Sequence, residues 1–253
     1  MCAPNAIRTR VTGLKGRRPR PLDDGGECRT RILAPLRAAA QGLREYIRPR
    51  MPADLPRRSA VSWFDPLYAA AGREAAAVPW ANLEACPAVA AYAASHSGPG
   101  RAVIVGCGLG DDAEVVAAAG YVTTAFDVSE HAAEWCRQRF PDSTVDYRVA
   151  DLFDLPEDLV GVFDLVVEVR TIQSLPPGLR DDAIDAVASL VAAGGSALVV
   201  ALSRPDGTIP SGPPWAISRS ELNRFEEAGL AVTFDHSEGG HFVLELSRSR
   251  GQE

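Results

Sequence analysis

Short apolar runs alternate with segments of helical periodicity through most of the chain, and this alternation constrains the fold most strongly. The strand pattern RAVIVG at 101–106 precedes a helical pattern, DAEVVAAAG, at 112–120. Parallel strands need crossover connections, which usually contain a helix and are right-handed. The repeated patterns therefore predict an α/β fold, in which helices cover both faces of a parallel sheet. The later strand patterns are YVTTAFDV, TVDYRVAD, FDLVVEV and SALVVAL.

The C-terminal segment adds a hairpin to this sheet. LAVTFDHS (230–237) and GHFVLELS (240–247) are strand patterns on either side of Glu238-Gly239-Gly240. A tight turn of this kind joins antiparallel strands. With the five earlier strands, this predicts a doubly wound, Rossmann-like, seven-stranded and mostly parallel sheet with a final antiparallel strand. Helical patterns are also present in WFDPLYAAAGREAAA, PAVAAYAASH and SRSELNRFEEAG.

The N-terminal segment differs from the rest of the chain in charge. Residues 1–50 contain eleven Arg, one Lys and four acids, which gives +8, and the remaining residues give −15, for a total of −7. A basic arm can bind nucleic acid, but the single Lys and the abundant Arg and Ala also fit a GC-rich genome, and we predict no nucleic-acid partner. Residues 1–55 are predicted to be a largely disordered basic extension, with one candidate helix over 33–47, before a domain at 56–253. A translation start at Met51 would remove most of this extension.

Membrane segments, disulfides and metal sites are not indicated by the sequence. No apolar run approaches the roughly 18 residues of a membrane helix, and no signal-peptide pattern is present near the start. The five cysteines form no CxxC pair, which indicates reduced thiols in a cytoplasmic protein. His236 and His241 are interpreted as hairpin residues rather than metal ligands, so no metal is predicted.

A glycine-rich loop follows the first predicted strand, where doubly wound folds bind their ligands. Gly106, Gly108 and Gly110 have the spacing GxGxG, whereas a dinucleotide-binding GxGxxG loop would place its third glycine at Asp111. Asp111 and Asp112 also occupy the helix N-terminus that would bind a pyrophosphate, and they would repel it. The loop therefore favours a cationic nucleoside cofactor without phosphate over NAD or FAD. S-adenosylmethionine (SAM) fits this description.

Acidic residues at the ends of the next two strands also favour a nucleoside ligand. Asp127 ends the second strand, 17 residues after Gly110, where a carboxylate can accept hydrogen bonds from both ribose hydroxyls. Asp151 ends the third strand, where it can accept from an adenine amino group while Leu152 packs on the ring. The alternative is that these residues are ordinary turn glycines and solvated strand-end acids.

These motifs resemble those of the class I SAM-dependent methyltransferases. Within that class, the chain resembles the thiopurine S-methyltransferase family and its bacterial relatives over about residues 60–248. The resemblance implies that the domain at 56–253 is a SAM-dependent methyltransferase domain that acts on a small molecule. It rests on VIVGCGLGDDAE, TAFDVSEHA, VADLFDLP, VEVRTIQSLPPGLR and SGPPWAISRSELNRF, together with the tryptophans of SAVSWFDP and AVPWANLE.

The resemblance also implies a set of cofactor contacts. Arg170, after the fourth strand, would contact SAM, and Trp80 would close over its methionine end. Cys107 is interpreted as a small residue that fills the space beneath the cofactor. The usual acid inside the first strand is replaced by Ile104, which removes one hydrogen-bonding group. The predicted cofactor-binding residues are Trp80, Gly106, Cys107, Gly108, Gly110, Asp127, Val128, Asp151, Leu152 and Arg170.

Candidate catalytic and substrate-binding residues follow from the chemistry of methyl transfer. A thiol reacts as its thiolate, and Arg170 is the cation best placed to stabilise one, although a cofactor-binding role is favoured for it. Trp63, Trp215 and Arg204 are the candidates for substrate binding. For Trp215, packing of its loop onto the sheet is the alternative.

The sequence therefore predicts a SAM-dependent methyltransferase with a small-molecule acceptor, and sulfur is the favoured acceptor atom. Oxygen or nitrogen of a metabolite is the alternative acceptor, and a non-catalytic SAM-binding regulator is an alternative of another class. A nucleic-acid methyltransferase is disfavoured because EVRTIQSLPP lacks the [ND]PP[YF] motif and because the body of the chain is acidic.

Overall fold

The computed structural model describes residues 60–251. The predictions for residues 1–55, the helix over 33–47 and the start at Met51 lie outside these residues. Within them, one sheet has the strand order β3-β2-β1-β4-β5-β8-β7, and the short β6 pairs with the end of β5. The strands are β1 Arg101–Val105, β2 Val122–Asp127, β3 Asp146–Val149, β4 Phe163–Val169, β5 Val191–Arg204, β6 Ile217–Ser218, β7 Ala231–Glu238 and β8 His241–Ser247.

Strands β1 to β5 pair in parallel, and β8 runs antiparallel to both of its neighbours. This confirms the predicted doubly wound, mostly parallel sheet with a final antiparallel strand. The helices of the described part are α1 Phe64–Ala71, α2 Pro87–Ser95, α3 Asp111–Ala118, α4 Glu130–Arg139, α5 Arg180–Ser189, α6 Arg219–Leu222 and α7 Arg224–Glu227.

Two hydrophobic layers lie on opposite faces of the sheet because side chains alternate along each strand. On β1, Val103 and Val105 belong to the layer that contains Ile184 of α5. Ala102 and Ile104 belong to the other layer, which contains residues of α2, α3 and α4. Ile104 thus packs in the core. A third cluster packs α1 against α4, and so brings α1 over the carboxyl end of the sheet.

Some predicted helices are shorter than their patterns. The pattern WFDPLYAAAGREAAA ends as a helix at Ala71, because Gly72 adopts a left-handed conformation with φ of 54° and closes the helix. Residues Ala75–Ala77 form a separate 3-10 turn. The helix over SRSELNRFEEAG is divided at Asn223 into α6 and α7. Strand β5, with 14 residues, is longer than the predicted SALVVAL.

Candidate active site

A cavity of about 1230 Å³, including its solvent-open mouth, lies at the carboxyl ends of β1 to β4 beneath α1 and the segment before α2. Doubly wound folds bind ligands in this crevice. Its wall combines a majority of apolar groups with a few charged ones, as in sites for small molecules. The predicted site residues that line it are Trp80, Gly106, Cys107, Gly108, Asp127, Val128, Leu152 and Arg170.

Two residues of the predicted cofactor set lie just outside the cavity wall. Gly110 begins α3 with φ of 90°, and a Cβ atom there would lie 2.6 Å from Oη of Tyr147. This glycine therefore lets α3 pack closely on β3. Asp151 accepts a hydrogen bond of 2.9 Å from the amide of Phe153, which turns the chain so that Leu152 and Phe153 line the cavity.

The three predicted substrate residues also lie outside this wall. Trp215 is buried, and its amide donates to the carbonyl of Gln173 at 2.7 Å. Arg204 forms a 2.7 Å ion pair with Glu221. The loop at 203–218 is therefore packed against the strand ends, in agreement with the packing alternative for Trp215. Trp63 stacks on Phe64, which lines the cavity, with ring centroids 4.0 Å apart.

Asp127 is anchored by the glycine loop and by the chain that follows β2. Its Oδ2 accepts from the amide of Gly108 and its Oδ1 from the amide of Ser129, both at 3.0 Å. Burial raises the pKa of the Asp127 carboxyl to about 6, although both hydrogen bonds favour the ionised form. Each carboxylate oxygen has a second lone pair, so Asp127 can still accept from two hydroxyl groups in the cavity.

The two aspartates that begin α3 have different surroundings. Asp111 forms a bidentate ion pair with Arg139, with N–O distances of 2.7 and 2.8 Å. Asp112 instead accepts a 2.6 Å hydrogen bond from the amide of Cys86 at Oδ1. Burial raises the pKa of the Asp112 carboxyl to about 6. Asp111 is thus neutralised by its partner, and Asp112 brings an acidic group to the wall of the cavity.

The thiol of Cys107 is not activated by its position in the loop. A hydrogen bond with Cys136 and burial raise the pKa of the Cys107 thiol well above its ordinary value. Cys136 itself donates to the carbonyl of Gly108 at 3.2 Å. Cys107 therefore packs in the loop as a neutral thiol, which agrees with its interpretation as a small packing residue.

Aromatic side chains of α1 and of the segment between α1 and α2 cover the cavity. Nε1 of Trp80 donates a 2.8 Å hydrogen bond to Oη of Tyr68, and the two rings meet edge to face at 5.7 Å. Tyr68 also packs on Trp135 of α4. Tyr68 could not be predicted as a site residue, because an aromatic residue on the buried face of a helix is typical of an ordinary core position.

The end of β4 brings a buried acid and a cation together. Glu168 is fully buried, and its Oε1 accepts from the amides of Thr171 at 2.6 Å and Ile172 at 3.0 Å. Burial raises the pKa of the Glu168 carboxyl to about 7. Arg170 adopts φ of 63°, a conformation that is rare for a side chain of this size. Such strain at a cavity wall is typical of functional sites.

The described residues show neither a metal-binding cluster nor a membrane-spanning helix. Between residues 60 and 251, no group of three His, Cys, Asp or Glu side chains is arranged to hold a metal ion. In the same part of the chain, no helix is both long and apolar enough to cross a membrane.

Comparison with known proteins gives the family. The model of the family thiopurine S-methyltransferase (TPMT) matches residues 73–239. Over 157 residues the chain is 29% identical to the probable thiol methyltransferase 2 of Arabidopsis thaliana, covering 60% of this chain and 67% of that protein. Over 109 residues it is 35% identical to the ubiquinone biosynthesis O-methyltransferase of Xanthomonas campestris pv. campestris (strain B100), covering 42% of this chain and 45% of that protein.

A solved structure supports the fold. The 1,6-didemethyltoxoflavin-N1-methyltransferase of Burkholderia thailandensis, solved with S-adenosylhomocysteine, has a TM-score of 0.60 at 17% identity and covers 79% of this chain and 92% of that chain. The family model covers more than half of the chain, and one cavity brings the glycine loop, Asp127 and Arg170 together. The protein therefore belongs to the thiopurine S-methyltransferase family and is a SAM-dependent methyltransferase.

Proposed function

We propose that this protein transfers the methyl group of SAM to the sulfur atom of a small-molecule thiol. The observation that carries the proposal is the charge of the cavity wall. Among the described residues that line it, Arg170 is the only Lys, Arg or His, and the charged residues otherwise are acids. A thiol has a pKa of about 8.5, so part of it is ionised near neutral pH, whereas an alcohol needs a base. A site whose only described side-chain bases are weakly basic carboxylates therefore suits sulfur better than oxygen.

The relatives support the same acceptor atom. The family is described as thiopurine S-methyltransferase, and the Arabidopsis relative is described as a probable thiol methyltransferase. Both descriptions name sulfur chemistry. The aromatic cover formed by Phe64, Tyr68 and Trp80 suits an acceptor with an apolar body.

The cavity residues can be assigned roles in holding the cofactor. Asp127 would accept hydrogen bonds from the ribose hydroxyls, as its two free lone pairs allow. Leu152 and Phe153 would pack on the adenine ring. Asp112 and Arg170, of opposite charge, would face the ammonium and carboxylate groups of the methionine end. Gly106, Cys107, Gly108 and Val128 would form the floor on which the cofactor lies.

When bound, SAM supplies a methyl group on a sulfonium that is already activated for in-line displacement. The protein then has to align the acceptor and exclude water. Trp80 and Tyr68, which are joined by a hydrogen bond, would close the site against solvent. Arg170 is assigned to the cofactor in this proposal, and stabilisation of an acceptor thiolate is the alternative role for it.

Transfer to oxygen is the second candidate function. It is favoured by the 35% identity to the Xanthomonas O-methyltransferase, although the matched segment is less than half of that enzyme. It is also favoured by the carboxyl of Asp112, whose pKa of about 6 would let it take a proton near neutral pH.

The experiment that distinguishes these functions is a transfer assay with methyl-labelled SAM. Matched acceptors, such as thiophenol, phenol and aniline, differ only in the accepting atom. We expect label in the thiol product and little in the phenol or amine product. Transfer to the phenol alone would overturn the assignment to sulfur, and binding of SAM without transfer to any acceptor would favour a regulator. An Asp127→Asn variant should need a higher concentration of SAM for the same activity, which would assign the activity to this cavity.

A further inference from the structure

Arg170 is held by its backbone but not by its side chain. Its amide donates to the carbonyl of Val200 at 2.9 Å, and its carbonyl accepts from Oγ of Ser174 at 2.9 Å. Within residues 60–251, no hydrogen bond or ion pair engages the guanidinium, and Nε is buried without a hydrogen-bond partner. A buried donor without a partner costs free energy, so we expect ligand binding to bring a hydrogen-bond acceptor to this nitrogen.

His241 has the complementary unpartnered atom. Its Nδ1 lies 3.3 Å from the carbonyl oxygen of Gly239, which can only accept, so the proton of the neutral ring is on Nδ1. Nε2 is then an acceptor, and it is buried without a hydrogen-bond partner. Burial, followed by the charge of Arg170, lowers the pKa of His241 and keeps the ring neutral at pH 7.

The sheet brings the backbones of these two residues to one edge, on either side of the end of β5. Val169, Val200 and Val243 are register partners across β4, β5 and β8, and they pack in the same hydrophobic layer. Arg170 follows Val169, and His241 precedes Val243 by two residues, which keeps it on the same face. The amide of Arg170 bonds to Val200, and His241 pairs with Leu202 two residues further along β5, so both lie just beyond this row at the carboxyl end of β5. The left-handed backbone of Arg170 ends the alternation of β4, and the charge of its guanidinium acts on Cys86, which packs on the same face of the sheet as Val243.

We propose that His241 is a positioning residue for Arg170. In the cofactor-bound protein, Nε2 of His241 accepts a hydrogen bond from Nε of Arg170 and so directs the two terminal nitrogens of the guanidinium toward the carboxylate of SAM. This proposal rests on the assignment of Arg170 to the cofactor. It adds to the site a residue of the last strand, which the sequence pattern indicates only as part of a hairpin.

The test is the binding of S-adenosylhomocysteine, measured by calorimetry, since it needs no methyl acceptor. The His241→Leu variant should bind about tenfold more weakly, as expected for one lost hydrogen bond to a charged group. His241→Gln keeps an acceptor near the position of Nε2 and should bind within about threefold of the unmodified protein. His236→Leu, in the same hairpin on the neighbouring strand, is the matched control and should not change the affinity.

A double-variant cycle separates positioning from a general structural effect. If His241 acts through Arg170, the variant Arg170→Met/His241→Leu should bind no more weakly than Arg170→Met alone. If His241→Leu causes the same loss in both backgrounds, the proposal is wrong. An unchanged affinity of His241→Leu would also overturn it.

Methylthioadenosine provides a ligand control because it lacks the amino acid part of the cofactor. It should bind the His241→Leu, His241→Gln and unmodified proteins equally well. An equal loss for this ligand would show that His241 supports the whole cavity, which would contradict the proposal. These measurements do not depend on the acceptor, so a failed thiol assay leaves the test of His241 intact.

The affinity should also depend on the protonation of His241. The titratable groups around Arg170 are the carboxyls of Asp112 and Glu168 and the thiol of Cys86. The positive charge of Arg170 favours the ionised form of each of them. These groups titrate in the His241→Gln variant too, so the difference between the two proteins reports the imidazole. As the pH falls through the lowered pKa of His241, that difference should increase in favour of His241→Gln. A ratio that stays constant down to a pH at which NMR shows the His241 ring protonated would overturn the proposal.

Discussion

The amide of Cys86 donates a 2.6 Å hydrogen bond to Oδ1 of Asp112, and this bond joins the start of α2 to the start of α3. The two residues are 26 positions apart in the chain. Cys86 lies in the segment that covers the cavity, and Asp112 follows the glycine loop. The bond therefore joins the cover of the site to its floor.

The side chain of Asp112 should therefore contribute to stability as an acceptor. Asp112→Asn keeps an oxygen for the Cys86 amide, whereas Asp112→Ala leaves that amide without a partner. We expect the Ala variant to be about 1–2 kcal/mol less stable than the Asn variant in urea unfolding. The exposed Asp142→Ala is the control and should match the unmodified protein. Equal stabilities of the Asn and Ala variants would show that the bond is not needed.

Cofactor binding should release protons near pH 6. The pKa of Asp127 is raised to about 6, and hydrogen bonds from ribose hydroxyls would favour its ionised form. Affinity for S-adenosylhomocysteine should therefore rise between pH 5 and pH 7. Calorimetry in two buffers with different ionisation enthalpies measures the protons released. Asp127→Asn should reduce that number and weaken binding by about 1–3 kcal/mol. Net proton uptake on binding would contradict the role given to Asp127.

The stability of the free protein should fall as the pH rises from about 5 to 8, in part because of Glu168. Its folded-state pKa of about 7 is above the ordinary value of 4.5, so the folded state binds the proton more tightly than the unfolded state does. Stability from such a group is present at low pH and is lost as the carboxyl ionises in the fold. Glu168→Gln should flatten the dependence of the melting temperature on pH in this range. The exposed Glu134→Gln should not. An unchanged slope in Glu168→Gln would refute this account.

The fold and the outline of the site could be predicted because they follow from local patterns. Strand and helix periodicity predicts the sheet, and parallel strands bring their carboxyl ends, including Asp127 and Arg170, to one edge. The contact between Cys86 and Asp112 could not be predicted, since it depends on how a cover segment packs. The left-handed conformation of Arg170 could not be predicted either, because a non-glycine residue gives no sequence signal for it.

Gly110 shows where a glycine in the motif serves packing rather than the ligand. Gly110→Ala would strain a residue with φ of 90° and would place a Cβ atom 2.6 Å from Oη of Tyr147. Gly239 has φ of 64° and open space around it, so Gly239→Ala isolates the backbone strain. We expect a loss of about 1 kcal/mol for Gly239→Ala and about 1–3 kcal/mol more for Gly110→Ala in urea unfolding. Similar losses for the two variants would show that α3 can move away from β3 at little cost.

The hydrogen bond between Tyr68 and Trp80 should control how the cover closes on the cofactor. Tyr68→Phe keeps the ring that packs on Trp80 and Trp135 but removes the acceptor for Nε1 of Trp80. We expect the variant to lose about 1 kcal/mol of stability and to bind S-adenosylhomocysteine several-fold more weakly, because the indole is no longer oriented. Tyr92→Phe, a half-buried tyrosine on α2 that does not line the cavity, is the matched control and should bind normally. Affinity in Tyr68→Phe equal to that of the control would mean that ring packing alone orients Trp80.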